Sequence, residues 1–397
     1  MHVSLQREFL KNYKAMAAPL AFFGTESCYV RSLNLSDGSS TCYAVAEPTT
    51  KYVAVEFVIS DGKRMVYALV CHWDKKDGEL VQCEVERGAL VERARVSSGG
   101  RQPCHAAWRP GATARLAVSH YFGGAVSLFA CAERPTLLAT ARVGEHAHGV
   151  AWSIDGAYVV VAVADVAGSV ASLHGDDLAV ARTRAEDFLA PEAATAGMVQ
   201  HHINRKMGHR PRHLAFASPS SLLVVHECAN KLTLHGFDVG TGAVSPPLHV
   251  VSTLFDAPPP SWLCGLVSAA GPEPLHAAAE LVVRESATGA TVAYVSNRML
   301  YCGASSSIAA FVVEAGRLAP LGAPVETFRN PRHVLVDGDR LLVGCKEKVM
   351  VFPVGADGAL GDATTLDLPA DEFPAGSREL DCAALVHVET RGDAGLA

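Results

Sequence analysis

With 397 residues, 49% of them apolar and only 19% charged, the chain can bury a large core and is poorly suited to disorder. A formal net charge of −7 without any basic block argues against nucleic acid as a partner and against a polybasic hold on a membrane. No stretch approaches transmembrane length, and the eleven cysteines, several inside apolar runs (Cys131, Cys228, Cys345) and none in a CxxC pair, read as reduced, buried thiols.

Residues 1–17 read as a tail or short helix, separate from a single domain over 18–397. The tail lacks a secretory apolar region, so the cytoplasm is the expected location. Arg7, Lys11 and Lys14 outnumber Glu8, which leaves organelle targeting by this segment open. From Leu20 the texture is short β-prone runs separated by turns, beginning with Ala21–Thr25, Tyr29–Leu33 and Thr41–Val45 around the turn Ser36-Asp37-Gly38. Lys51–Ser60, Met65–His72, Leu80–Val85 and Ala89–Val91 form the next unit. Another follows from Gln102, through Arg115–His120, the turn Gly123-Gly124 and Ala125–Cys131.

Strand texture lapses over Arg182–Arg210, read as an insertion on one rim, and again around Pro258-Pro259-Pro260 and Gly271-Pro272-Glu273-Pro274. Between and after these, runs at Ser221–His226, Lys231–Phe237, Thr291–Asn297, Ile308–Val313, Arg340–Gly344 and Val349–Val354 continue the pattern.

A polar knot recurs where each unit begins: Pro103-Cys104-His105, His146-Ala147-His148, Pro211-Arg212-His213 and Pro331-Arg332-His333 each lead into a short apolar run. His146 and His148, two apart on one strand, share a face. Unit starts near Tyr52, His105, His148, His213, Glu280, His333 and Ala383 give seven, roughly 43 to 67 residues apart. Seven four-stranded units predict an all-β, seven-bladed β-propeller. The lone strand Ala383–Val388 completes a blade begun by the N-terminal strands and leaves no open edge. A two-sheet sandwich, the alternative, does not account for the recurring knots.

No phosphate-binding glycine fingerprint and no Gly-x-Ser-x-Gly elbow is present, so neither a nucleotide cofactor nor a serine nucleophile is expected. His201-His202 with His209 lacks ligands at metal spacing and reads as a solvated segment; no metal is assigned. Asp165 reads as a turn residue, and His213 and His333 as histidines bonded to a neighbouring blade.

The knots, together with Val225-His226-Glu227, Ala279-Glu280, Tyr294-Val295-Ser296-Asn297-Arg298 and Asn330-Pro331-Arg332, resemble the lactonase family of seven-bladed β-propellers. That family includes the propeller-type 6-phosphogluconolactonases and the fungal-type 3-carboxy-cis,cis-muconate lactonizing enzymes. The resemblance runs from about Phe22 to about Val388 and implies a site at the central mouth of the ring. In the lactonizing branch a histidine, two arginines and a glutamate are implicated, and by motif the resemblance places these on His148, Arg212, Glu227 and Arg298; His105, His146, Glu280 and Arg332 are expected to complete a substrate-binding wall. Departures include His120 where the family has asparagine, and Lys346-Glu347-Lys348 where it has Asn and Ser or Asp.

A histidine titrates near neutrality and suits a general base, while an arginine fork grips phosphate or carboxylate. The expected function is cofactor-free hydrolysis of a small anionic sugar lactone, 6-phosphogluconolactone in the pentose phosphate route. His148 would be the base, the arginines would hold the anion, and Glu227 would orient Arg212 or His148. The alternatives are a lactonizing cycloisomerase acting on a carboxy-muconate and a non-catalytic binding propeller; oligomeric state is left open.

Overall fold

Runs such as Tyr158–Val163, all β-branched, small or aromatic, form strands buried at every position, because each lies in the middle of a sheet packed on both faces. Outermost strands such as Thr136–Arg142 are exposed along most of their length. The computed structural model describes residues 19–25, 27–46, 53–73, 77–111, 114–165, 168–185, 210–255, 276–299, 306–346, 348–367 and 380–387. The tail over 1–17, most of the insertion over 182–210, the proline-rich stretches 258–260 and 271–274, and His201, His202 and His209 lie outside these.

The described residues form seven antiparallel sheets and no helix. Blades 1 to 6 open with the inner strands Val53–Ser60, Pro103–Trp108, Ala147–Trp152, Pro211–Ser218, His276–Glu285 and His333–Asp337. Blade 7 takes its inner strand, Leu380–His387, from the C-terminus, and its other three, Pro19–Thr25, Tyr29–Asn34 and Ser40–Ala44, from the N-terminus. Inner strands touch in the order of the blades, and Leu380–His387 touches both His333–Asp337 and Val53–Ser60, closing the ring. The seven-bladed propeller and its two-ended closure are as the repeats predict. One detail differs: blade 5 has five strands, because Arg317–Pro320 and Val325–Thr327 both pair with Ser306–Glu314.

The core lies between blades. Phe57, Tyr67, Leu80 and Leu116 share one apolar cluster, and Leu223, Ala293 and Phe311 another. Each fully buried large side chain contributes about 1.5–3 kcal/mol. Tryptophans at the far ends of two knots tie adjacent inner strands: Trp108 Nε1–H donates to Ser60 O at 2.6 Å, and Trp152 Nε1–H to Ala107 O at 2.9 Å. Gly149 has no substitute here, since a Cβ would lie 2.5 Å from the Arg212 carbonyl oxygen of the next blade.

The knots are irregular in a repeated way. Gln102, His146, Arg210 and Asn330 adopt left-handed φ values of 52°, 60°, 49° and 55°, each one residue before Pro103, Ala147, Pro211 or Pro331. A β-bulge follows in the inner strand. Val55 and Phe57 pair with the consecutive residues Val70 and Leu69, so Glu56 is extra; Cys104 and Arg212 are extra in the same sense. The extra residue falls within His148-Gly149 in blade 3 and within Ala279-Glu280 in blade 5. In blade 6 the Arg332 N–H bonds to Gly344 O while His333 pairs with the same glycine.

His120 is a tie within its blade: Nε2 lies 3.0 Å from Ser127 Oγ, itself 3.0 Å from Thr140 Oγ1. Blade 4 repeats the device with His226, Thr233 and His235.

Two predictions follow from closure and burial. Ending the chain before Leu380 removes one inner strand and bares the edge of Pro19–Thr25, so the truncated protein is expected to aggregate on size-exclusion chromatography. A soluble monomer with the full-length melting curve would contradict that closure. Burial lowers the His120 imidazole to about 4. The unfolded chain therefore takes up this proton first, and stability is full above pH 6.5 and drains as the pH falls toward 4, by up to about 3 kcal/mol. Urea midpoints measured from pH 7 to pH 4.5 should fall, and should fall less in His120→Asn.

Candidate active site

The bulges set the site. Glu56, Cys104, His148, Arg212, Glu280 and Arg332 all line one cavity of about 200 Å³ at the ring's centre. A bulge turns one side chain out of the regular alternation that sends its neighbours into the gaps between blades. Tyr121, Glu227 and Arg298, at or just beyond the ends of second strands, complete the same cavity, with Arg210 beside Arg212.

One side is cationic. Arg298 Nη2 donates to Glu227 Oε1, and Arg212 Nε lies 3.7 Å from that same oxygen. Arg212 is 4% exposed, yet among the described residues its Nε and Nη1 have no hydrogen-bond acceptor, nor has Arg298 Nε. Burial, then the Arg298 charge, pulls the Arg212 guanidinium down to about 10, which leaves it charged at neutral pH. Burial alone would raise the Glu227 carboxyl, but Arg298, Arg212 and Arg210 together hold it below its ordinary value. Arg210 donates to the Tyr121 hydroxyl, and Arg332 lies 3.4 Å from Glu56 Oε2. Among the described lining residues four arginines face three glutamates, a balance that suits an anion.

The other side is built of imidazoles. Burial, then the nearby Arg212 charge, holds His148 well below the usual histidine value, so it is neutral and able to accept a proton. Its Nδ1 is buried without a hydrogen-bond partner among the described residues. Its ring centre lies 5.1 Å from that of His213 and 5.7 Å from that of Tyr121. His213 Nδ1–H donates to Glu280 Oε1, and His333 Nδ1 lies 2.6 Å from Glu280 Oε2. Glu280 thus links blades 4, 5 and 6. Burial opposes its charge, but these two imidazoles outweigh burial and keep it a carboxylate. His213 and His333 do bond across to a neighbouring blade, and both also line the cavity.

Two of the expected wall residues sit elsewhere. His105 packs behind the lining, its ring 4.5 Å from Phe57 and 4.6 Å from His213, with Nδ1 accepting the Val150 N–H at 3.2 Å. His146 lies outside the lining, 4.6 Å from the Tyr121 ring, where its left-handed backbone turns the chain into the strand. Asp165 accepts the Gly168 N–H at 2.6 Å, as a turn residue does.

Among the described residues, His105, His213 and Glu280 offer atoms within 4.8 Å of one another, close enough for a metal. Val150 N–H occupies His105 Nδ1, and the His213 and His333 imidazoles face the Glu280 carboxylate, so these groups hold one another. The cluster reads as a hydrogen-bonded support. Cys104 is no nucleophile either, because burial pushes its thiol up to about 12.

Sequence reasoning missed Arg210, Tyr121 and Glu56. Arg210 carries a signal, the two-residue spacing to Arg212 that matches His146 and His148. Tyr121 and Glu56 carry none without strand register.

A sequence search of curated proteins finds no match. Among solved structures, a protein from Lactobacillus plantarum is 18% identical with a TM-score of 0.65, covering 94% of this chain and 100% of its own. A candidate 6-phosphogluconolactonase from Bacteroides fragilis is 19% identical with a TM-score of 0.60, covering 93% of this chain and 98% of its own. A periplasmic gluconolactonase from Pseudomonas aeruginosa is 15% identical with a TM-score of 0.64, covering 94% of this chain and 100% of its own. At such identities the likeness shows the fold alone. The family described as "Lactonase, 7-bladed beta-propeller" matches residues 22–371, and the chain therefore belongs to that family of propeller lactonases.

Proposed function

We propose that this protein hydrolyses a sugar lactone carrying an anionic group, with 6-phosphogluconolactone, opened to 6-phosphogluconate, as the substrate. The observation that carries the reading is a neutral, half-buried His148 beside two buried arginines with unsatisfied donors, all in one small cavity. Such donors cost free energy while unpaired and are satisfied by an oxyanion. The family membership supports lactone chemistry, and two structures of similar fold are named for it.

In this reading His148 takes a proton from water as its oxygen bonds to the lactone carbonyl carbon. Arg212 and Arg298 hold the anionic group and offset charge developing on oxygen. The ring carbon–oxygen bond then breaks, and the departing oxygen takes the proton back from His148. Glu227 keeps the two guanidiniums in place, and no cofactor takes part.

Hydrolysis of fresh 6-phosphogluconolactone above its spontaneous rate tests the reading. His148→Ala should lower kcat by about 10²- to 10⁴-fold. Equal rates in wild type and variant would remove His148 from the chemistry. Conversion of a carboxy-muconate without lactone hydrolysis would instead mark a cycloisomerase. Because His148 loses its proton well below pH 6.5, kcat/KM should stay level from pH 8 down through 6.5. A halving of kcat/KM centred on pH 6.5 would show an imidazole at its ordinary value and oppose the lowering of His148 by its surroundings.

A further inference from the structure

Among the described lining residues, Tyr121 alone carries a hydroxyl. Its oxygen accepts a hydrogen bond from Arg210 Nη2, and Arg210 Nε in turn lies 3.5 Å from Ala164 O. A phenol carries one proton and can also accept, so the bond from Arg210 leaves the Tyr121 O–H able to donate. Among the described residues nothing accepts that proton. The ring is held as well as its oxygen. His146 lies against it with ring centres 4.6 Å apart, Phe122 at 5.4 Å, and His148 stands edge-on at 5.7 Å. His146, outside the lining itself, thus backs a ring that belongs to it. Tyr121 also stands where the two halves of the cavity meet. It feels the charges of Arg210 and Glu227 on the cationic side, while its ring meets His148 on the imidazole side.

We propose that Tyr121 is a catalytic residue, its hydroxyl donating a hydrogen bond to the lactone carbonyl oxygen as that oxygen gains charge, and that Arg210 is its positioning residue. The proposal rests on the lactone-hydrolase reading above, in which His148 takes a proton from water as the water oxygen bonds to the carbonyl carbon. The electron pair of the carbonyl double bond moves onto oxygen, and Tyr121 steadies it without giving up its own proton. When that pair returns, the ring carbon–oxygen bond breaks and the departing oxygen is protonated from His148. Burial holds the phenol above its ordinary value, against the opposing pull of Arg210, so the hydroxyl keeps its proton through neutral pH. A hydroxyl that already accepts from a cation is polarised and becomes a stronger donor. Fixed at both ring and oxygen, it needs no reorganisation at the moment of reaction.

The test compares wild type, Tyr121→Phe, Arg210→Gln and the double variant on fresh 6-phosphogluconolactone, with the calorimetric Kd for inorganic phosphate as a measure of the arginine site. Tyr121→Phe keeps the ring and its contacts, and should lower kcat about 10²- to 10³-fold while KM and the phosphate Kd stay within about threefold. Arg210→Gln should lower kcat by less, about tenfold, and the double variant should lose no more than Tyr121→Phe, since Arg210 acts through the hydroxyl. An unchanged kcat in Tyr121→Phe, or additive losses in the double variant, overturns the proposal. So does phosphate affinity that falls in step with kcat, because Tyr121 then only props the arginines. If Tyr121→Phe does not fold, Arg210→Gln decides: a loss confined to kcat supports the proposal and an unchanged kcat overturns it. A wild type that binds phosphate but does not open the lactone sinks the hydrolase reading and this proposal together. Lactone turnover that survives Tyr121→Phe undiminished sinks the proposal alone.

Discussion

A regular β-strand sends its side chains alternately to its two faces, and in a propeller both faces are covered by neighbouring blades. Along an unbroken inner strand, then, side chains pack between blades and backbone faces the axis. A polar site on the axis requires that alternation to be broken at the mouth of the ring. Here it is broken by one extra residue where the inner strands begin, preceded in four blades by a left-handed residue. Left-handed backbone at Gln, His or Arg costs of order 1 kcal/mol, and it is kept where the surrounding sheet over-determines it. Closure of the ring by Leu380–His387 is what holds these faults in register round a single cavity.

The contents of the cavity follow from the cost of burying charge. An isolated guanidinium or carboxylate would be expelled or neutralised, so the charges come in mutual support. Glu227 serves two arginines from one oxygen, and this leaves the guanidiniums with donors to spare. Glu280 is engaged by two imidazoles instead, which fixes the histidines rather than a ligand. The two glutamates thus do different work: one leaves cationic donors available for binding, the other braces three blades.

The same low-dielectric setting explains the histidines. His105, His148 and His213 all sit below the ordinary imidazole value, chiefly through burial, and stay uncharged beside the arginines. A cavity with fixed cations and neutral imidazoles can bind an anion and still accept a proton. The bracing of His213 by Glu280 and the lack of any hydrogen-bond partner at His148 Nδ1 among the described residues separate the two rings, since only the first is tied down by an acceptor.

The repeat was legible in the sequence because each blade must solve the same packing problem. Apolar runs of strand length alternate with turns, and the knots with Pro, His and Arg mark the start of each inner strand. His148, Arg212, Glu227 and Arg298 were reached through the family resemblance, and the knots alone did not separate them from His105 or His146. Which knot residue reaches the axis depends on strand register, and register is decided by pairing with a partner strand some tens of residues away. That is why Glu56 looked like any residue of an apolar run, and why His146, sharing a face with His148 by simple spacing, lies outside the cavity lining. Composition and periodicity determined a closed ring of seven sheets, because burying those apolar runs demands it. The ring's closure and the bulges decided which polar groups meet at its centre, because only there do residues distant in sequence share one desolvated space.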